Sequence, residues 1–170
     1  MTNQAFKPST ISSSLLEPIC RGLVGYISYL AACRASEIYS EYLLYEPLMR
    51  VAQTKEYSVR CEYAVSKGPK GDAKRIDFLL AKDGIGIGLE VKWLGGSSVA
   101  VEKDRSKLKV LCDVNVISEG YLLLFGTVKR VQSAIDKLQR KGEVADRDLG
   151  KMVNWNSGHT SYGARCIRVA

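Results

Sequence analysis

Residues 75–93 read RIDFLLAKDGIGIGLEVKW, two segments of alternating side chains joined by Asp83 and Gly84. An Asp-Gly pair is typical of a two-residue hairpin turn, because both central positions of that turn need a positive φ. Counting cross-strand pairs outward from the turn predicts that Asp77 lies directly opposite Glu90. The stretch therefore predicts an antiparallel hairpin in which each strand carries one carboxylate.

Alternation divides this hairpin into two faces, because successive side chains of a strand point to opposite sides. One face is strongly apolar and is expected to pack in the core; its members are Ile76, Phe78, Leu80, Ile85, Ile87, Leu89, Val91 and Trp93. The opposite face carries Asp77, Glu90 and Lys92, together with Gly86 and Gly88. Acidic and basic groups are therefore expected to lie together on that face.

Two carboxylates facing each other across a ladder repel, because their Cβ atoms lie about 4.5–5.5 Å apart. Mg²⁺ prefers oxygen ligands and is usually held by one or two carboxylates, water and a phosphate. We predict that Asp77 and Glu90 bind Mg²⁺, with the Val91 carbonyl as a further ligand and Mn²⁺ as a substitute. Lys92 points the same way and could orient or deprotonate a water molecule that attacks the phosphate. A Lys92–Asp77 ion pair on a solvated face is the alternative without chemistry.

The elements around the hairpin follow a recognisable order. They are a helix (36–48), a strand (57–65), the hairpin, a helix (101–108) and a buried strand (121–125). With Ile76-Asp77 and Glu90-Val91-Lys92, this order resembles the PD-(D/E)XK nuclease superfamily over about residues 37–125; Ile76 stands where the family name has proline. The resemblance implies an α/β restriction-endonuclease-like core, with a central mixed β-sheet flanked by helices, and Mg²⁺-dependent hydrolysis of phosphodiester bonds.

The resemblance also implies an additional acidic residue on the first helix. Glu41 is the preferred candidate because apolar residues follow it at helical spacing, while Glu37 and Glu46 are alternatives. Glu62, on the first strand, is a lesser candidate. The predicted catalytic residues are therefore Asp77, Glu90, Lys92 and Glu41.

The formal net charge is +7, with 25 Lys and Arg residues against 18 Asp and Glu residues. Such a balance favours an anionic partner, and we predict nucleic acid, DNA before RNA. Gly86 and Gly88 would leave room for its backbone. The predicted nucleic-acid-binding residues flank the hairpin and are Lys70, Lys74, Arg75, Lys103 and Lys107. A homodimer is possible, since many enzymes of this fold cut two strands as dimers.

At 170 residues, the chain is long enough for one domain with a real core, which we assign to residues 1–170. An extra N-terminal helix (15–30) is expected, after a frayed segment (1–14). A helix (128–141), a polar loop (143–163) and a last strand (164–169) are expected to complete the fold. The apolar run at 22–32 is too short to span a membrane.

Five cysteines without C-x-x-C spacing favour a reducing cytoplasm. Residues 30–33, LAAC, resemble a lipoprotein cleavage box, but their leader fits a signal peptide poorly. Two other functions fit the chain. One is a non-catalytic nucleic-acid-binding or immunity and regulatory protein on the same fold, in which Arg75 and Lys92 neutralise the two carboxylates. The other is a secreted nuclease toxin, against which the cysteines weigh.

Overall fold

The computed structural model describes residues 12–33, 41–67, 73–95, 101–157 and 160–169. Its helices and strands are, in chain order, α1 (Glu17–Ala32), α2 (Tyr45–Thr54), β1 (Ser58–Lys67), β2 (Ala73–Lys82), β3 (Ile85–Trp93), α3 (Val101–Asp113), β4 (Glu119–Thr127), α4 (Val128–Arg140), β5 (Val153–Ser157) and β6 (Thr160–Arg168). A π-helical turn (Ser12–Leu16) and two 3₁₀ turns (Glu41–Leu44 and Asp146–Asp148) complete the set.

The six strands within the described residues form one mixed sheet in the order β1-β2-β3-β4-β6-β5. The β3–β4 pair is parallel and the other pairs are antiparallel. One apolar core joins α1 and α2 to one face of the sheet, and a second joins α3 and α4 to the other face. The expected α/β architecture, with a mixed sheet flanked by helices and an N-terminal helix, is confirmed. Within the described ranges, no helix has the length and apolar character to cross a membrane.

The turn between β2 and β3 forms as predicted. Asp83 and Gly84 have φ values of 51° and 78°, and Lys82 pairs with Ile85 beside them. Positive φ at both positions matches the right-handed twist of the flanking strands. The register counted from the turn is therefore confirmed for the part of the hairpin next to it.

The predicted pairing of Asp77 with Glu90 is wrong, because the β2–β3 ladder ends one step earlier, at Phe78 and Leu89. Before Phe78, β2 continues to pair with β1, and after Leu89, β3 continues to pair with β4. The two strands of the hairpin therefore stop pairing with each other and leave an opening, which we call the fork. The fork is formed by residues 73–77 of β2 and residues 90–93 of β3.

The apolar face of the hairpin is largely as predicted. Its core members pack with α1 and α2 and are Phe78, Leu80, Ile87, Leu89 and Val91, with Trp93 partly buried beside them. Ile76 is also buried, but it belongs to the core on the α3 side. Ile85 is 40% exposed beside the turn. The predicted apolar face is therefore not continuous at its two ends. Ile76 in the fork belongs to the other core, and Ile85 beside the turn is exposed.

The expected room for a nucleic-acid backbone at Gly88 is not there. A Cβ atom at Gly88 would lie 2.5 Å from Ile117 Cδ1 and 3.2 Å from Leu108 Cδ2. Glycine is needed here because α3 and the segment after it pack directly against the sheet. Gly88 therefore serves the core rather than a substrate.

The C-terminal third contains more structure than the expected polar loop at 143–163. This range holds the Asp146–Asp148 turn and β5, and β6 begins at Thr160 rather than at 164. Asn154 and Asn156 are exposed, whereas Val153 and Trp155 pack towards the core of α1. This alternation makes β5 an edge strand, although Asn and Ser made the segment resemble a loop.

Helix α1, from the N-terminal part of the chain, packs against β5 and β6 from the C-terminal part. The buried sulfur atoms of Cys20 on α1 and Cys166 on β6 lie 3.7 Å apart, and both thiols are free. The expected frayed segment lies mostly outside the described residues, as does the first part of the predicted helix at 36–48.

Candidate functional site

A polar pocket of about 400 Å³ opens at the fork. Its walls come from the segment leading into α2 and from β1, β2, β3 and α3. Six residues singled out from the sequence line it together: Glu62, Arg75, Asp77, Glu90, Lys92 and Lys107. The fork thus brings the predicted carboxylates and lysine into one cavity, although not through the predicted ladder.

Asp77 is fixed by the end of the ladder. Its Oδ2 atom accepts a hydrogen bond from the Val91 backbone N–H at 2.8 Å, so a side chain supplies the acceptor that a paired strand would otherwise offer. Burial raises the pKa of Asp77, and the Val91 hydrogen bond opposes that rise. The described contact of Val91 in the site is through its amide, and the role of its carbonyl stays a prediction.

Glu90 is the most deeply buried charged group of the site, at 2% exposure. Burial and, second, the charge of Asp77 raise the pKa of Glu90 to about 8. The ammonium group of Lys107 lies 2.5 Å from Glu90 Oε1 and opposes this rise. Burial and the charge of Asp77 therefore outweigh the Lys107 ammonium, and the pKa of Glu90 stays raised.

Helix α3 reaches across the fork through Asp104 and Lys107. Lys92 Nζ lies 3.0 Å from Asp104 Oδ2, and its charge also opposes the rise in the pKa of Asp77. Lys107 Nζ also donates to the Arg75 carbonyl at 2.8 Å and lies 3.7 Å from Asp104 Oδ1. Asp104 therefore links the two lysines, and sequence reasoning missed it. Its spacing of three residues from Lys107, on one helix face, was the available signal.

Tyr45 connects two carboxyl groups on the other side of the pocket. Its hydroxyl donates to Glu62 Oε1 at 3.1 Å and interacts electrostatically with Asp77. Burial, followed by the charge of Asp77, raises the pKa of Tyr45 well above its usual range. Its ring packs on Phe78 with centroids 4.4 Å apart. Tyr45 therefore looks like a core residue in the sequence, and nothing there indicates that its hydroxyl lies in the site.

Glu62 occupies a strained position in β1, opposite Asp77. Its neighbours Cys61 and Tyr63 pair normally with β2, but Glu62 itself has a φ of 49°. A non-glycine residue rarely adopts this left-handed conformation, and such strain is often found at functional sites. Glu62, the lesser candidate predicted from the sequence, therefore also lines the pocket.

The remaining predicted site residues lie either away from the pocket or outside the described part of the chain. Lys103 is exposed on α3 and does not line the pocket. Glu46 is exposed and pairs with Arg50 at 2.7 Å, away from the pocket. Glu41 begins the Glu41–Leu44 turn and Lys74 lies in β2, but the side chains of both are outside the described part, as are all of Glu37 and Lys70.

The acidic side chains of the pocket are the oxygen donors that a divalent cation would use. Among the residues that the structure describes, no three His, Cys, Asp or Glu side chains form a group that could hold a metal ion. Asp77 and Glu90 alone offer two hard oxygen donors, and their closeness makes ionisation of both costly. Mg²⁺ commonly uses one or two carboxylates and completes its shell with water and phosphate. The pair therefore fits a two-carboxylate Mg²⁺ or Mn²⁺ site.

The pocket thus combines the buried Glu90 carboxyl, the half-buried Asp77 carboxyl, two lysines joined by Asp104, and a tyrosine bonded to Glu62. Such a set can bind a cation, hold an anion and position a water molecule. Comparison of the chain with protein-family models, with curated proteins and with solved structures found no match.

Proposed function

We propose that the chain is a divalent-metal-dependent nuclease of the PD-(D/E)XK type, which hydrolyses phosphodiester bonds and acts on DNA. The observation that carries the proposal is the meeting of Asp77, Glu90 and Lys92 in one polar pocket between β2 and β3. Their order on an antiparallel hairpin, followed by α3 and the parallel strand β4, supports a restriction-endonuclease-like core.

The charge around the pocket supports an anionic substrate. Arg75 is exposed at the rim, and Lys92 and Lys107 lie within the pocket. Together with the net charge of +7, these cations favour a phosphate backbone over a neutral ligand. Lys70, Lys74 and Lys103 remain proposed contacts to the same backbone.

Asp77 and Glu90 would hold Mg²⁺ or Mn²⁺, which when bound supplies charge stabilisation to the phosphate and lowers the pKa of a water molecule. Lys92 would orient the attacking water or balance the negative charge that develops on the phosphate. Asp104 lies 3.0 Å from the Lys92 ammonium and so fixes the position of this lysine in the pocket. The water oxygen then bonds to phosphorus as the bond to the leaving oxygen breaks.

The proposal is tested by incubating the protein with plasmid, linear duplex, single-stranded DNA and RNA, each in Mg²⁺, Mn²⁺ or EDTA. We expect cutting of DNA that requires the metal. Asp77→Asn, Glu90→Gln and Lys92→Ala should each slow cutting by at least about 100-fold, the usual cost of removing one charge-stabilising group.

Lys129→Ala is the matched control for Lys92→Ala, because Lys129 is an exposed lysine on α4 outside the pocket. It should cut like the wild type. Circular dichroism checks that every variant is folded. Full activity in any two of the three site variants would show that the pocket is not the catalytic centre.

A second function is favoured by one contact. Lys107 neutralises Glu90 at 2.5 Å without a metal, as expected of a nucleic-acid-binding or regulatory protein on the same fold. Calorimetric titration with Mn²⁺, combined with duplex binding, separates the two. Duplex binding without Mn²⁺ binding or cutting would favour the second function.

A further inference from the structure

We propose that Lys107 is a built-in counter-charge for Glu90 that a divalent cation must displace, so that this lysine weakens metal binding to the free protein. The inference rests on the proposed function of Asp77 and Glu90 as metal ligands. It concerns a residue that the sequence pointed to only as a nucleic-acid contact.

The contacts of Lys107 fix its ammonium group beside the proposed ligands. Nζ lies 2.5 Å from Glu90 Oε1, donates to the Arg75 carbonyl at 2.8 Å and lies 3.7 Å from Asp104 Oδ1. The side chain is only 22% exposed, so solvent screens these contacts weakly. Lys107 is therefore held at Glu90 from both β2 and α3.

A divalent cation at the carboxylate pair would meet this ammonium at close range. Both would draw on the one Glu90 carboxylate, and like charges a few ångströms apart repel strongly where water is partly excluded. Glu90 is 2% exposed, so it cannot move into solvent to serve both. Asp104 lies one helical turn before Lys107 and could hold the ammonium after it leaves Glu90.

The first experiment measures Mn²⁺ affinity by calorimetry for the metal-free wild type, Lys107→Met and Lys109→Met. Methionine keeps the length of lysine and removes its charge. Lys109→Met is the matched control, because Lys109 is exposed on the same helix and its loss changes the net charge equally. We expect Lys107→Met to bind Mn²⁺ at least about tenfold more tightly, with Lys109→Met unchanged.

A second measurement follows the wild-type chain and uses a variant only to assign one signal. Reductive ¹³C-methylation labels the lysines and keeps their charge, and Lys107→Arg assigns the Lys107 signal in the NMR spectrum. Titration with Mg²⁺ should shift the Lys107 signal as the ammonium leaves Glu90. The Lys109 signal should stay where it is.

The outcomes separate this inference from the proposed function. Equal or weaker Mn²⁺ binding by Lys107→Met, or an unmoved Lys107 signal while Mg²⁺ binds, would overturn the counter-charge role and leave the metal site intact. Absence of binding in all three proteins would overturn the metal site and the inference together.

Discussion

The β2–β3 hairpin has two differently built ends. From the turn to Phe78 and Leu89, backbone pairs hold the strands together and apolar side chains fill the core beneath them. Beyond that point, in the fork, the strands no longer pair, and the Asp77 carboxylate accepts the hydrogen bond of the Val91 amide. The same two strands are therefore held by apolar packing at one end and by charged side chains at the other.

The difference shows why the charged groups gather where the ladder stops. A ladder satisfies backbone groups without side chains, whereas an unpaired strand end needs other acceptors. In the fork, Asp77 supplies this acceptor. Helix α3 packs close enough for the Lys107 ammonium to lie 2.5 Å from Glu90. Opening the ladder therefore creates both the pocket and the need for charged residues in it.

The largest effect is expected where the hairpin is held by packing. Leu80 is fully buried in the paired end, so Leu80→Ala should lower the free energy of unfolding by about 2–5 kcal/mol through lost burial and a cavity. Ile85→Ala is the control, because Ile85 is 40% exposed in the same hairpin. Urea denaturation measures both, and equal losses would mean that burial does not distinguish the two positions.

A smaller effect is expected from the charge of Glu90 in metal-free protein. An acid whose pKa is higher in the folded state than in the unfolded chain binds its proton more tightly when folded. Folding stability should therefore fall as pH rises from 4.5 to about 8, the interval between the two pKa values. We expect this loss in the wild type over the whole interval, because folded protein must give up the Glu90 proton against the effect of burial.

Glu90→Gln keeps the shape of the side chain and removes its titration. Urea denaturation in EDTA across this pH interval should give a flatter profile for the variant than for the wild type. Parallel profiles would mean that the ionisation of Glu90 is not opposed in the folded protein.

The smallest effect concerns the acceptor in the fork. Asp77→Ala leaves the buried Val91 amide without its partner and should destabilise the fold by about 1 kcal/mol, since loss of the Asp77 charge also relieves Glu90. Asp77→Asn keeps an acceptor oxygen and should be neutral or stabilising. Thermal unfolding compares them, and an equal loss in both would show that the carboxylate charge, rather than the acceptor, holds the fork.

The paired end of the hairpin could be predicted because its determinants are local. Asp83 and Gly84 set the turn, the turn sets the register, and the alternation sets the buried face. The position at which the ladder ends is not local. It follows from the separate pairing of β2 with β1 and of β3 with β4, which the turn does not encode.

The residues missed at the site have a similar explanation. Asp104 reaches the pocket only because α3 packs across Gly88, and Tyr45 only because α2 lies over Phe78. Neither helix position could be derived from the hairpin sequence. Asp77, Glu90 and Lys92 were found because all three belong to the hairpin itself.

The contact between α1 and β6 has a consequence for folding during synthesis. Cys20 and Cys166 are 146 positions apart, so the apolar face of α1 is synthesised long before the strand that covers it. Contacts between such distant segments form slowly, because a long loop must close first. We therefore expect the part of α1 that packs on β5 and β6 to remain uncovered on the nascent chain until those strands form, as a surface for chaperones to shield.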